Sequence, residues 1–221
     1  MSALDPARLH VFCDFDGTIT RPDTIQFLTE RFGGGAELYR ASGRLLGQGR
    51  VTLRDAIADG IGSIQVPFPQ VADVLVREVT IDPGFRPFAR WCARLGVPLT
   101  ILSAGFHEII DLLLVPAELP SLEVRANRLE PGSWRCIFVD DSPLGHDKSV
   151  AVAEARRRGH RPVVVGDGFS DREPAAVADL VFARRGRSLL DFCRRKGIAC
   201  ETFDTFFEVQ QDLASRLRSV A

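Results

Sequence analysis

The sequence predicts an α/β protein: a doubly wound parallel sheet covered by helices on both faces, with a helical cap inserted early in the chain. Three observations predict it. Short, continuous apolar runs (LHVFCDF, VPLTILSA, RPVVVGD and DLVFAR) read as strands buried on both faces. Helical patterns separate them, and repeated strand–helix–strand units lead to parallel sheets between helical layers. From Arg21 to Asp82, by contrast, the apolar spacing is helical and no strand-like run interrupts it. The expected division is a core of residues 1–20 and 83–221 and a cap of residues 21–82.

The first strand runs through Leu9 to Phe12 into FCDFDGTIT. In an extended segment residues i and i+2 face the same way, so Asp14 and Asp16 project together. Two close carboxylates repel, and one pKa rises unless a cation intervenes. The pair suits an ionised nucleophile beside a proton-carrying acid, or a hard metal site. Gly17 lets the chain turn and brings backbone N–H groups near an anion, and Thr18 adds a hydroxyl. A plain Asp-Gly turn at a strand end is the alternative.

Four helices are expected in the insertion: TIQFLTERF, GAELYRASGRLLG, TLRDAIADGIGSI and PQVADVLVREV. Thr52 with Asp55 has the form of a helix start with acid in the first turn. After it, PGFRPFARWCARLG places Phe85, Phe88, Trp91, Cys92 and Leu95 on one stripe, with Gly96 as the stop. In TILSAGFHEII, Ser103 ends a strand and Ala104 and Gly105 lead into a helix. That is an anion site or an ordinary helix cap. NRLEPGSWRCIFVD reads as a β-hairpin turning at PG. In HDKSVAVAEARRRG, Lys148 stands at a helix start, against the helix dipole. It either serves a phosphate or an aspartate, or is simply exposed. VVVGDGFSD sets Asp167 and Asp171 after a valine strand, where oxygen ligands suit Mg²⁺ and a capped loop is the alternative.

Ligands in such sheets bind at the carboxyl ends of strands, where Asp14, Ser103 and Asp167 all fall. The rest of the chain excludes several classes. Of 221 residues, 45% are hydrophobic and 26% charged, ordinary globular composition, and the net charge of −1 gives no reason to expect nucleic acid or an anionic membrane. The basic runs Arg156–Arg158 and Arg184–Arg187 are expected as solvated helix ends and loops. Five cysteines without a CxxC pair argue against a disulfide framework. No secretion signal and no span of roughly 20 apolar residues is visible, so a cytoplasmic protein is expected. Four scattered histidines make zinc unlikely to be the metal. His107 and His146 lie close enough to Ser103 and Lys148 to touch substrate, or are partly exposed helix-start side chains.

The order DFDGT, Ser103, Lys148, GDGFSD resembles the haloacid dehalogenase superfamily over the whole core, and the insertion resembles its type 1 cap. The resemblance implies a Rossmann-like core and a phosphatase. Asp14 would attack phosphorus to give an aspartyl-phosphate. Asp16 would protonate the leaving oxygen and later activate water. Gly17, Thr18, Ser103, Ala104 and Gly105 would surround the phosphate, with Lys148 steadying nucleophile and phosphate. Mg²⁺ would bind Asp14, the Asp16 carbonyl and Asp167, with Asp171 in support. Dehalogenases of the superfamily lack an acid at the Asp16 position and P-type ATPases carry DKTGT there, so ester hydrolysis is favoured. A phosphotransferase would use the same residues, and a non-catalytic phosphate-binding module is the reading from another class.

The expected substrate is a small phosphorylated metabolite. Phosphoserine phosphatases resemble the chain in SAGF, in Ala126–Leu129 and in GDGxxD, but the cap arginine that grips the serine carboxylate aligns with Gly60 here. Arg50 or Arg54 would have to replace it. The methionine-salvage phosphatase acting on 2-hydroxy-3-keto-5-methylthiopentenyl-1-phosphate is similar in DFDGTIT, in an aspartate matching Asp23, and in the tail from DLVFARRGRS to the Phe-rich end. That subfamily is the preferred relation, although its second motif usually reads SGG. Asp23 would also suit a phospho-amine.

Overall fold

The structure, a computed structural model, describes residues 5–115, 119 and 121–218. The chain enters through a short 3-10 turn, Pro6–Arg8, whose Asp5 cap accepts from Ala7 N–H, and passes into β1, Leu9–Cys13. Next comes a short strand β2, Thr20–Arg21, then helices α1 (Thr24–Phe32), α2 (Gly35–Gly47), α3 (Leu53–Gly62) and α4 (Phe68–Glu78), then β3, Thr80–Ile81. The core resumes with α5 (Phe85–Arg94), β4 (Leu99–Phe106), α6 (His107–Leu114), β5 (Glu123–Leu129) and β6 (Cys136–Ile137). It closes with α7 (Lys148–Arg157), β7 (Arg161–Gly166), α8 (Arg172–Val177), β8 (Leu180–Arg184), α9 (Ser188–Lys196), β9 (Glu201–Phe203) and α10 (Phe206–Arg218).

The seven-stranded sheet has the order β6-β5-β4-β1-β7-β8-β9, every pairing parallel except β5 with β6. β1 is central because it is apolar on both faces, with Leu9, Val11, Phe12 and Cys13 all buried. The chain moves outward from β1 through β4 to β5, then returns to β7 on the other side. That reversal opens a crevice at the carboxyl end of β1.

Each predicted strand and helix is present, with three refinements. The insertion is not purely helical: β2 and β3 pair antiparallel, Thr20 with Ile81, as a two-residue ribbon where the chain leaves and re-enters the core. Strands so short carry no periodic signal. β9 is missed for the same reason. On α5 the buried stripe is Phe85, Phe88, Ala89 and Cys92, whereas Leu95, past the last helical turn, is 40% exposed. The PG segment does turn a hairpin, with Gly132 at φ +76°, but its first strand β5 also belongs to the main sheet through β4.

The Phe-rich tail earns its place by packing. Phe206 lies 5.1 Å from Phe85, 5.4 Å from Phe88 and 5.7 Å from Phe203, joining α5, β9 and α10. Each such buried ring contributes roughly 2–3 kcal/mol. Beneath it Asp82, at the exit of the insertion, accepts from Gly84 N–H (2.9 Å) and Phe206 N–H (3.1 Å) and pairs with Arg184 at 3.3 Å. Arg184 is 4% exposed, not solvated as its basic run suggested, because it also donates to the carbonyls of Thr18 and Asp204. Among the described residues no helix is long and apolar enough to cross a membrane.

Candidate active site

β1 delivers Asp14 and Asp16 as the sheet ends. Gly17, at φ +80°, then reverses the chain, and a Cβ there would meet Asp167 Oδ2 at 2.7 Å. Asp14, Asp16 and Asp167 are 5%, 8% and 6% exposed, and all three line one cavity of about 460 Å³. Core residues Ala104, Gly105, Gly168, Phe169, Arg172 and Arg187 line one side; Asp23, α1, α2 and α3 line the other through Thr29, Tyr39, Leu46, Leu53 and Ile57.

Lys148, the first residue of α7, is 1% exposed. Its ammonium donates to Asp14 Oδ1 (2.6 Å), Asp171 Oδ1 (2.8 Å) and Ser170 Oγ (3.0 Å). Burial alone would lower its pKa, but the charges of Asp14 and Asp171 outweigh that and raise it, so it stays a cation. Of the two readings of this lysine, the exposed one is excluded. Asp14 itself is pushed well above the usual carboxylate range by burial and by the neighbouring charge of Asp171, against the pull of Lys148.

Asp16 is gripped from two directions. Ser103 Oγ donates to Oδ2 at 2.7 Å, and Thr24 Oγ1, from the first turn of α1, donates to Oδ1. Burial holds its carboxyl up, while the two hydroxyl bonds favour the ionised form. β4 continues to Phe106, further than the sequence implied. The register of β4 on β5 shifts between Leu102 and Phe106, so Ser103, Ala104 and Gly105 sit in an irregular stretch of strand and not at a helix start. Gly105 N–H donates to Ser103 Oγ at 2.7 Å, and a side chain on Gly105 would collide with Asp16 Oδ2.

Of the remaining expected residues, Gly17, Thr18 and Asp171 do not line the cavity and Asp23 does. Thr18 Oγ1 donates to Asp167 Oδ1 (3.3 Å), and Gly17 N–H is taken by Thr20 Oγ1 (3.1 Å). Asp171 uses Oδ1 for Lys148 and Oδ2 to accept from the N–H groups of Asp167 and Gly168, both at 3.0 Å. Asp23 lines the cavity and also caps α1, accepting from Gln26 N–H at 2.9 Å. Burial and the charge of Asp16 raise its pKa to about 6. His146 is buried, not partly exposed: its Nδ1 meets the Ser103 carbonyl at 2.8 Å. Neither His146 nor His107 lines the cavity.

Thr24, Arg187 and His146 are the residues whose contacts the sequence did not disclose. Thr24 looks like an ordinary helix-start threonine. Arg187 sits in a basic run, yet its Nε is 3.4 Å from Asp167 Oδ2 and it faces the cavity.

The donor set fits a hard divalent cation. Asp14, Asp167 and Asp171 offer ligand oxygens within 4.8 Å of one another. Asp171 is already saturated, leaving two carboxylates, the number typical of Mg²⁺. Burial, with the charges of Asp23 and Asp171, pushes Asp167 up to about 8. A cluster that resists ionisation this strongly lacks positive charge, and a cation at Asp14 and Asp167 supplies it.

The chain is similar to known proteins. Residues 11–176 match the family described as haloacid dehalogenase-like hydrolase. The chain is 36% identical over 218 residues to Pdp3-interacting factor 1 of Schizosaccharomyces pombe, covering 93% of this chain and 95% of that protein. It is 31% identical to polyol phosphate phosphatase PYP1 of Saccharomyces cerevisiae, covering 90% of each. It is 28% identical to the 2-hydroxy-3-keto-5-methylthiopentenyl-1-phosphate phosphatase of Brevibacillus brevis, covering 91% of this chain and 93% of that one. Among solved structures, a phospho-aspartyl intermediate analogue of phosphoserine phosphatase superposes with a TM-score of 0.71 at 18% identity, over 93% of this chain and 98% of that one, a likeness of fold. With paired acids at the end of β1, a buried lysine on the first and a third acid at the end of β7, the chain belongs to the haloacid dehalogenase-like hydrolases and is a phosphatase.

Proposed function

We propose that the protein is a Mg²⁺-dependent phosphomonoester hydrolase that carries the phosphoryl group on Asp14 and acts on a small phosphorylated metabolite with an uncharged leaving group. The observation that carries this is the division of labour at the end of β1. One aspartate is held by a cation, Lys148, and the other by two hydroxyls, Ser103 and Thr24. Asp14 and Asp167 would hold Mg²⁺, which would supply positive charge against the transferring phosphoryl group.

The chain's own residues do the rest. A carboxylate oxygen of Asp14 forms a bond to phosphorus as the bond to the ester oxygen breaks. Asp16 gives its proton to that departing oxygen. Asp16, now ionised, takes a proton from water as the water oxygen attacks phosphorus and the Asp14–phosphorus bond breaks. Ser103 and Thr24 keep Asp16 aimed at the departing oxygen, and Lys148 keeps Asp14 pointing inward.

The insertion speaks for the leaving group. It places no arginine or lysine on the cavity wall. Gly60 stands where phosphoserine phosphatases carry arginine, and even a Cβ there would press on Thr29 Oγ1 at 2.7 Å. Arg50 does not line the cavity. Arg54 is tied elsewhere, donating to the Asp140 carbonyl at 2.6 Å and stacking 4.5 Å over Phe138. A substrate carboxylate would find no cation on this wall, since the cavity's arginines, Arg172 and Arg187, come from the core. A polyol phosphate, the substrate class in the yeast relative's name, suits the hydroxyls of Thr29, Tyr39 and Ser42. The methylthio ester in the Brevibacillus relative's name is the second reading, favoured by Leu46, Leu53 and Ile57 on the same wall. The five free cysteines accord with a cytoplasmic setting, and the reaction needs no nucleic-acid or membrane partner.

The test is Mg²⁺-dependent phosphate release from glycerol phosphate, ribitol phosphate, the methylthiopentenyl ester, phosphoserine and phosphoethanolamine. Preference for a neutral ester, abolished by chelation, is expected. A preference for phosphoserine contradicts the leaving-group assignment, and a new phosphoester on adding acceptor alcohols identifies a transferase.

A further inference from the structure

Two polar heads in the cavity have hydrogen-bonding capacity that the protein does not use. Arg187 enters from the turn between β8 and α9, and besides its 3.4 Å ion pair with Asp167 its guanidinium makes no hydrogen bond among the described residues. The turn is fixed: Leu189 N–H donates to the Asp167 carbonyl at 2.9 Å, and Arg187 N–H to the Arg184 carbonyl at 3.3 Å. On the insertion's side, α2 contributes Tyr39, the chain's single tyrosine. Its hydroxyl also has no hydrogen-bond partner among the described residues, and the charges of Asp23, Asp167 and Arg187 all act on it.

The other cations at the site are held by groups of the core. Lys148 is shared among Asp14, Ser170 and Asp171, whereas Arg172 lies flat over Phe169 at 4.2 Å with its Nε buried and unpaired among the described residues, held by that ring and not pointed at Asp167 as Arg187 is. Chemistry at phosphorus is carried by the acids and Lys148, so it leaves Arg187 and Tyr39 without a task. A guanidinium only donates, and a phenol donates and accepts. Together they suit hydroxyl or carbonyl oxygens close to the phosphate.

We infer that Arg187 and Tyr39 are specificity-determining residues that bind oxygens on the leaving group, selecting phosphorylated polyols and hydroxyketones over simple alkyl phosphates. This rests on the phosphatase reading above. An ester lacking those oxygens would displace water from both groups without replacing its hydrogen bonds, which is how a polar site rejects a deoxy analogue.

The experiment compares sn-glycerol 3-phosphate with n-propyl phosphate, its deoxy counterpart, in the wild type, Arg187→Met and Tyr39→Phe. Arg187 is 41% exposed and Tyr39→Phe is conservative, so folding is not at risk. Wild-type kcat/KM should favour the glycerol ester by about tenfold or more, and that preference should shrink about tenfold in Arg187→Met and severalfold in Tyr39→Phe. An equal fall on both esters, with the preference intact, overturns the inference and leaves Arg187 as a partner of Asp167 alone. Calorimetry in Mg²⁺ on Asp14→Asn, with and without Arg187→Met, reads recognition apart from turnover. If the wild type hydrolyses neither ester, the polyol substrate reading fails and binding decides the inference. Tighter binding of the glycerol ester that vanishes with Arg187 supports the inference, and equal binding overturns it.

Discussion

Asp14 and Asp16 are chemically identical side chains two residues apart, and their surroundings separate them. Lys148 at 2.6 Å keeps Asp14 oriented, while hydroxyls from Ser103 and Thr24 hold Asp16. Asp14→Asn is therefore expected to lower turnover by about 10³-fold or more while circular dichroism stays native, since a neutral amide is a poor nucleophile. Residual activity near the wild-type level would remove Asp14 from the chemistry. Thr24→Val tests the second aspartate through the leaving group. Alkyl phosphates need a proton on departure and should slow by about 10–100-fold, whereas p-nitrophenyl phosphate, with its acidic phenol, should slow far less. Equal losses on both would make Thr24 a packing residue only. The five acids and Lys148 were legible in the sequence because each closes a strand or opens a helix in a fixed order. Thr24, Arg187 and His146 were not, because their partners lie 8, 20 and 43 positions away or more and their local surroundings are those of any helix start or basic loop.

Among the elements, α2 is the one whose sequence works against its own stability. Gly43 and Gly47 are helical, and a Cβ on either would meet nothing within 4 Å, yet both line the cavity. Gly43→Ala or Gly47→Ala should each raise stability by about 0.5–1 kcal/mol, read as a higher denaturant midpoint. An unchanged or lower midpoint would mean that helix propensity is not what these glycines cost. At the opposite end of the sheet, the second residue of β1 is His10, stacked 4.1 Å from Phe12 and bonded to Thr100 Oγ1 at 2.8 Å. Burial, and next the charge of His160, lower its pKa from 6.5 to about 4. A base whose folded pKa lies below its unfolded one contributes stability above pH 6.5 and loses it as pH falls toward 4. With the ring partly open to solvent, about 1–2 kcal/mol is at stake. His10→Gln should flatten that part of the stability profile, and an unchanged profile would refute the assignment. The long helices and the apolar strands were readable from period alone. The β2–β3 ribbon and β9 were not, because two or three residues carry no period and are fixed by pairing partners far along the chain.

For the molecule as a whole, the insertion and the core share one cavity, and the metal site is built around a charge imbalance. Burial and the charges of Asp23 and Asp171 push Asp167 up to about 8, so Mg²⁺ binding is expected to displace a proton at lower pH. Mg²⁺ should therefore raise the melting temperature more at pH 8 than at pH 6, and a shift independent of pH would place the ion away from Asp167. The doubly wound sheet with its early helical insertion was visible from the alternation of runs; the buried arginine Arg184, which pins Thr18, Asp82 and Asp204 together behind the site, was hidden inside a basic run. The central claim is that phosphate passes through Asp14. Acid-quenching the enzyme during Mg²⁺-dependent turnover of glycerol phosphate and mapping the phosphoryl group by mass spectrometry tests it most directly. The label is expected on Asp14 and is expected to disappear in Asp14→Asn. Turnover with the label on another side chain would contradict it.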